Sequence, residues 1–114
     1  MNISERILSA LSSIVSEIEP DIYTGTAREY ITFNFSEIPD LHAESRPGVI
    51  RYLIQIHWYL PWKKSGESVN PHAKKKQMKN AIAGAGFTYP TTTNASDGDG
   101  QHYVFECEGF DGDV

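Results

Sequence analysis

The stretch from Val49 to Leu60 constrains the fold of this chain more than any other. Its even positions are all apolar, whereas its odd positions mix apolar and polar side chains. Because side chains of a strand point alternately to its two faces, this pattern predicts a β-strand with one face in a core and the other only partly buried. At ~3.3 Å per residue the strand spans roughly 40 Å, more than the ~35 Å diameter of a compact domain of this size. We therefore expect it to bend, or to run past its own domain and offer its end to a partner.

Length and charge limit the class of protein. A chain of 114 residues predicts one domain, which we place at residues 1–110 and follow with a frayed acidic tail at 111–114. The net charge of −5 argues against non-specific nucleic-acid binding by the whole surface. A single cysteine, Cys107, excludes an internal disulfide and favours the reducing cytoplasm. We expect no signal peptide and no membrane helix, because the N-terminus lacks a basic region and the apolar runs are short.

Hydrophobic periodicity and turn residues predict the remaining elements. In chain order these are a helix from Ile3 to Ile18 ended by Pro20, a strand from Glu29 to Ser36, the long strand, a helix that starts at Pro71 and ends before Gly86, and a strand from His102 to Phe110. The segment Thr88 to Gly100 is too polar for a core and predicts a mobile loop. The order of elements predicts an α+β domain, a mostly antiparallel sheet with two helices packed on one face.

The sequence contains no recognisable catalytic motif. The four histidines are scattered without helical spacing, which argues against a zinc site. Cys107 is in phase with Tyr103 and Phe105, which predicts a buried, inert thiol. The segment 97–100 resembles the opening of a calcium loop, but His102 stands where that loop needs glycine, so a glycine-rich hairpin turn is the better interpretation. With no nucleotide-binding or hydrolase fingerprint either, we predict no enzyme activity, no metal and no cofactor.

A cluster of lysines crowds the N-terminal half of the second predicted helix. Cations there oppose the helix dipole by a few tenths of a kcal/mol each, and the helical spacing places Lys75, Lys76 and Lys79 together on one side. A solvated face is the simpler alternative. The functional alternative is a docking patch for an acidic partner or a phosphate backbone. Since interleaved aromatic residues are absent from this helix, a protein is the better of the two partners.

The chain resembles a family of virion proteins. Taken in order, the N-terminal amphipathic helix and the segments REYITFNFSEIPD, RYLIQIHWY, AKKKQMKNAIAGAGF and HYVFECEGF resemble the tail terminator (tail-completion) proteins of long-tailed bacteriophages. The resemblance implies a small α+β subunit that forms a hexameric ring at the head-proximal end of the tail, stops tube growth and joins the tail to the head. The implied partners are the tail tube protein and the head connector protein, and DNA only passes through the ring.

The same resemblance implies a virion location after assembly in the host cytoplasm, with no enzyme activity, no cofactor and no membrane partner. Other neck or tail rings, such as a head-completion protein or a tube subunit, share this architecture and stay open as alternatives. A nucleic-acid-binding adaptor that uses the lysine helix is a less favoured alternative.

The long strand also supports a ring without the resemblance. Its second face carries Leu53 and Tyr59, which could be buried against a neighbouring subunit. The segments 38–48 and 62–69 carry the apolar residues Leu41, Trp62 and Val69, which burial between subunits would explain. We therefore predict these five residues at the subunit interface. A ring of such acidic copies would also repel DNA from the wall of its channel.

Overall fold

The fold consists of one mixed sheet with a helical layer on one side. In the computed structural model of the chain, residues 2–38, 49–61 and 71–112 are described. They form α1 (Ile3–Leu11), β1 (Ile18–Pro20), β2 (Tyr30–Glu37), β3 (Val49–Leu60), α2 (Pro71–Gly84), β4 (Thr91–Asn94) and β5 (Gln101–Gly112). The strand order is β1-β2-β3-β5-β4, and only β1 and β2 pair in parallel. The predicted α+β class, with a mostly antiparallel sheet and two helices, is confirmed.

Strand β3 has the predicted bounds and lies at the centre of the sheet. It pairs with β5 along its whole length, from Val49 opposite Gly112 to Leu60 opposite Gln101. Four of its even-numbered side chains are buried and join one core cluster with α1, α2, β2 and β5; they are Ile54, Ile56, Trp58 and Leu60. The domain is elongated, with principal-axis extents of 56 × 23 × 23 Å. The strand therefore runs along the molecule without having to bend back.

The first helix is shorter than predicted. It begins at the expected cap, where the Glu5 amide donates to Asn2 Oδ1 at 2.8 Å, but it ends at Leu11 instead of Ile18. Serine residues after Leu11 compete with helical hydrogen bonds, and the chain turns there with the Val15 amide on the Leu11 carbonyl at 3.0 Å. Ile18 instead begins β1, because its backbone finds a partner in β2. The apolar spacing beyond Leu11 therefore reflects burial of these side chains and not a continuation of the helix.

The second helix begins and ends as predicted. Pro71 is its first residue, and the expected cap Asn70 lies outside the described residues. Gly86 follows the helix in the left-handed region with φ 94°, as the C′ position of a helix end requires. Phe87, directly after it, is buried in the core. In the described residues no helix has the length and apolar character needed to cross a membrane.

The polar segment from Thr88 to Gly100 contains a strand, which corrects the predicted mobile loop. Residues 91–94 form β4 at the edge of the sheet, paired with β5. Threonine favours strands, and an edge strand buries too little surface to show an apolar pattern. The turn that follows is the predicted hairpin, with the Asp97 amide donating to the Gly100 carbonyl at 3.0 Å and the Asp99 amide to Asp97 Oδ1 at 2.9 Å. Strand β5 continues to Gly112, so residues 111 and 112 are paired, whereas 113–114 lie outside the described residues.

Candidate assembly surfaces

One end of the sheet is covered less completely by the helical layer than the rest. We call this part the distal arm; it comprises residues 35–37 of β2, 49–53 of β3 and 108–112 of β5, which pair with one another. Large apolar side chains are exposed on both of its faces: Phe35 and Ile50 on the helix side by 37% and 39%, Leu53 and Phe110 on the other side by 37% and 52%. Within the arm, the aromatic rings of Phe35 and Tyr52 meet edge to face, with their centroids 5.4 Å apart. An exposed apolar surface of this kind is a candidate interaction site.

One edge of the distal arm also has an open backbone. Strand β1 pairs with β2 only as far as Phe33, opposite Pro20. Beyond it, residues 34–37 carry no further strand on their outer edge among the described residues. Unpaired backbone groups of an edge strand can pair with another chain. The arm therefore combines apolar faces with an available strand edge.

The sheet face opposite the helices, which we call the open face, carries a row of aromatic rings. Tyr30 lies opposite Tyr59 in the ladder and Tyr59 opposite His102, and their ring centroids are 4.7 and 4.1 Å apart. Tyr23, from the loop after β1, extends the row by stacking on Tyr30 at 4.1 Å. Because the rings stack on one another, their faces are mutually covered and are not available to stack nucleic-acid bases. The row instead fixes the register of three strands.

Two histidines meet at the end of this row. His57 Nδ1 lies 2.9 Å from His102 Nε2, so one ring must donate and the other accept, and the pair cannot be doubly protonated while this bond holds. Desolvation lowers the pKa of both rings, and the charge of His57 lowers the pKa of His102 further, while Glu106 and Asp97 oppose these shifts in part. Among the residues described, no group of three or more metal-ligating side chains is present.

This histidine pair could not be predicted from the sequence. The two residues are far apart along the chain, so the four histidines look scattered. His57 and His102 both point to the open face, and the diagonal neighbours of an antiparallel pair become visible only once the register of β3 against β5 is known. His72 is exposed on α2, and His42 lies outside the described residues.

The lysines of α2 are divided between internal contacts and solvent. Lys74 Nζ pairs with Glu29 at 2.9 Å, and the same carboxylate accepts from Trp58 Nε1 at 3.0 Å. Lys75 Nζ lies 4.1 Å above the centre of the Tyr103 ring. Burial, and less strongly the charge of Lys79, lowers the pKa of Lys75.

The remaining two lysines of the predicted patch have no such contact. Lys76 is exposed and Lys79 half-buried, and neither forms an ion pair with an acid in the described part of the chain. Of the three predicted docking residues, Lys75 is thus engaged within its own domain. Lys76 and Lys79 are the two that a partner could reach.

The predicted interface residues lie in different places. Leu53 belongs to the distal arm, and Tyr59 is half-buried within the aromatic row of the open face. Leu41, Trp62 and Val69 lie outside the described residues. The structure therefore brings Leu53 and Tyr59 to the same sheet face and leaves the other three as predictions.

The open face is rich in aromatic residues and has few unpaired charges. The charged side chains on its strands are Glu19, Arg51, Glu106 and Glu108, and Asp21 and Arg28 border Tyr30 and Tyr59 at its edge. Arg51 and Glu108 pair with each other across β3 and β5, and Glu19 accepts hydrogen bonds from Thr24. No lysine of the described residues lies on this face. Aromatic enrichment with few unpaired charges is typical of the core of protein–protein interfaces.

Cys107 is a structural thiol. It is buried in the core, as predicted, and burial raises its pKa to about 12, with Glu108 adding to the shift. At neutral pH the thiol is therefore protonated and a poor nucleophile. It borders a cleft of about 260 Å³ that also includes Glu106 and Tyr89. This cleft offers no activated nucleophile.

Comparison of the chain with protein-family models and with curated proteins gave no match. The assembly surfaces described above, together with the family resemblance of the sequence, are therefore the grounds on which a function can be proposed.

Proposed function

We propose that this chain is a structural subunit that assembles into a closed homo-oligomeric ring. The observation that carries the proposal is the distal arm, which exposes apolar side chains on both faces of a three-stranded ribbon. Burying each large apolar side chain is worth about 1.5–3 kcal/mol, so an arm left in water forgoes a considerable part of this free energy. A neighbouring copy that packs on the arm would recover it. A head-to-tail contact closes into a ring when its rotation divides the circle.

Within that class, we propose a phage tail terminator. The support is the order and character of the sequence segments, together with an α+β fold of the kind that the resemblance implies. The subunit would form a hexamer that caps the tail tube protein and meets the head connector protein in the virion, after assembly in the host cytoplasm. It would be neither an enzyme nor dependent on a cofactor. The acidic net charge of −5 suits a channel through which DNA passes without sticking.

Two alternatives have different support. A head-completion protein or a tube subunit would use the same arm for the same kind of ring, so the position in the virion decides between them. A nucleic-acid-binding adaptor is less well supported, because the aromatic faces cover one another and two of the α2 lysines are engaged internally. A DNA-binding assay titrated with salt separates this class, since a phosphate binder loses affinity steeply as salt rises.

The self-assembly part of the proposal is tested by mass measurement in solution followed by negative-stain imaging. We expect rings for the natural chain and a smaller species for Leu53→Asp, which places a charge on the distal arm. Leu8→Asp is the matched control, because Leu8 is equally exposed, at 37%, but lies on α1 in the helical layer and not on the arm. Equal loss of rings in both variants would contradict the assignment of the arm.

The terminator role is tested in the phage that carries the gene. Deletion should give tails of uncontrolled length that fail to join heads. Tails of normal length still attached to heads would contradict the terminator role even if the protein forms a ring.

A further inference from the structure

The charges left without an ion pair in the described residues differ between the two sides of the sheet. Every lysine in the described part of the chain is on α2, in the helical layer. The open face on the other side carries Glu106. The hairpin between β4 and β5 adds the exposed Asp97 and Asp99, and Asp99 lines a cleft with Tyr30 and Tyr59. The domain therefore has a basic helix on one side. On the other side, the sheet face of the described strands carries unpaired acid on β5 at Glu106, whereas Arg28 lies beside Tyr30 and Tyr59.

Internal ion pairs neutralise only part of these charges. Lys74 pairs with Glu29, and Arg51 pairs with Glu108. Lys76 and Lys79 on α2 and Glu106 on the open face have no ion pair among the described residues. They cannot pair within one copy, because the sheet and its core separate α2 from the open face.

We infer that α2 of one copy docks through Lys76 and Lys79 on the open face of the next copy, beside Glu106. This contact rests on the proposed ring, and in that ring it would form in addition to the contact made by the distal arm. Lys75 is not part of it, because its ammonium group already lies on Tyr103. The open face suits a protein partner by its aromatic row and its few unpaired charges. Charge complementarity of this kind sets orientation and association rate more than affinity.

Contacts between like surfaces are disfavoured by the same charges. Two open faces packed together would bring Glu106 against its own copy, and two α2 helices packed together would oppose lysines. Juxtaposed like charges suppress a contact. Of these three contacts, only the one between α2 and the open face brings opposite charges together. It joins two different surfaces, so it is heterologous, and each copy uses each surface once. The surfaces thus favour a ring over a two-fold dimer.

A charge exchange between two variants tests this contact. The helix variant carries Lys76→Glu and Lys79→Glu, and the face variant carries Glu106→Lys and Asp99→Lys. Each variant alone should lose association by roughly tenfold or more, because its own surfaces now have like charge. An equimolar mixture should restore rings of the natural size, with the two variants in equal numbers by native mass spectrometry. A ring of alternating variants also requires an even number of subunits.

Control measurements keep the outcomes distinct. Circular dichroism checks that each variant is folded. The milder Lys76→Gln with Lys79→Gln should weaken association and its dependence on salt. Two outcomes would overturn the inferred contact alone. In the first, the charge variants form rings as well as the natural chain does. In the second, the mixture of the two variants fails to form rings. A natural chain that stays monomeric at every concentration would instead contradict the proposed function.

Discussion

The two halves of β3 have the same pattern but different surroundings. Ile50 and Ile56 are the same residue type on the same face of the same strand, yet Ile50 is 39% exposed and Ile56 is fully buried. The difference comes from the lengths of the covering elements. With nine and 14 residues, α1 and α2 extend about 14 and 21 Å, whereas the 12 residues of β3 extend about 40 Å. Alternation thus decides which face is apolar, and the helices decide how much of it is covered.

This comparison also distinguishes stability from assembly. Residues under the helices stabilise the single domain, since water is removed from them when the chain folds. We expect the exposed apolar residues of the distal arm to contribute less to that step. We expect them to act when a second copy covers them. Four predictions, in order of decreasing effect on the domain itself, test this division.

The largest effect is expected at Ile56. Ile56→Ala should lower the free energy of unfolding by about 2–5 kcal/mol, as truncations in a packed core do. Ile50→Ala, the matched variant in the distal arm, should lower it by less than ~1 kcal/mol in the monomer but weaken self-association. Urea unfolding and sedimentation measure the two effects. Equal losses of stability would show that the arm is packed as tightly as the core.

The second prediction concerns the link between the helical layer and the arm. Arg6 of α1 donates to the Ala85 carbonyl at 3.0 Å and to the Phe110 carbonyl at 2.7 Å, and its guanidinium lies 4.4 Å from the centre of the Phe87 ring. Arg6→Ala should cost about 1–3 kcal/mol, because charged hydrogen bonds to the end of α2 and to β5 are lost together.

Arg28→Ala is the control for this prediction. Its side chain is exposed, and we expect a change within ~0.5 kcal/mol. Both variants are compared by urea unfolding. A similar small change at both positions would mean that Arg6 does not hold α2 and β5 together.

The third prediction concerns pH and the histidine pair on the open face. The pKa values of His57 and His102 are lowered in the folded chain, so the unfolded chain binds protons more readily. The contribution of the pair to the free energy of unfolding should therefore be greatest above pH ~6.5. It should fall as the pH drops from there through the lowered pKa values of the folded chain. Urea unfolding across this range measures the slope. His57→Gln with His102→Gln should flatten it, and a natural chain that gains stability on acidification in this window would contradict the assignment.

The smallest effects are expected on α2. Lys75→Gln should cost about 0.5–1 kcal/mol, since the ammonium on the Tyr103 ring is lost. Lys76→Gln, one residue later and exposed, should change the free energy of unfolding by less than ~0.5 kcal/mol, with slight relief of helix-dipole repulsion. Thermal unfolding of both variants measures the difference. If Lys76→Gln proved the more harmful to folding, its assignment to a docking surface would be in doubt.

Local sequence determined much of the fold. The bounds of β3, its buried face, the start of α2 at Pro71 and the left-handed Gly86 follow from alternation, proline geometry and glycine conformation. Each of these depends on a residue and its immediate neighbours. The inert thiol of Cys107 belongs here as well, because its position in an alternating strand already places it on the core face.

Pairing between distant segments decided the rest. Residues 18–20 became a strand because β2 lies beside them, and β4 formed because β5 offers it an edge, although neither segment has a strong pattern of its own. The meeting of His57 with His102, and of Lys75 with Tyr103, depends on strand register and helix placement. The exposure of the distal arm depends on where two helices end relative to a longer strand. Local sequence states what each residue prefers, whereas these features depend on which distant backbone or side chain the tertiary structure brings against it.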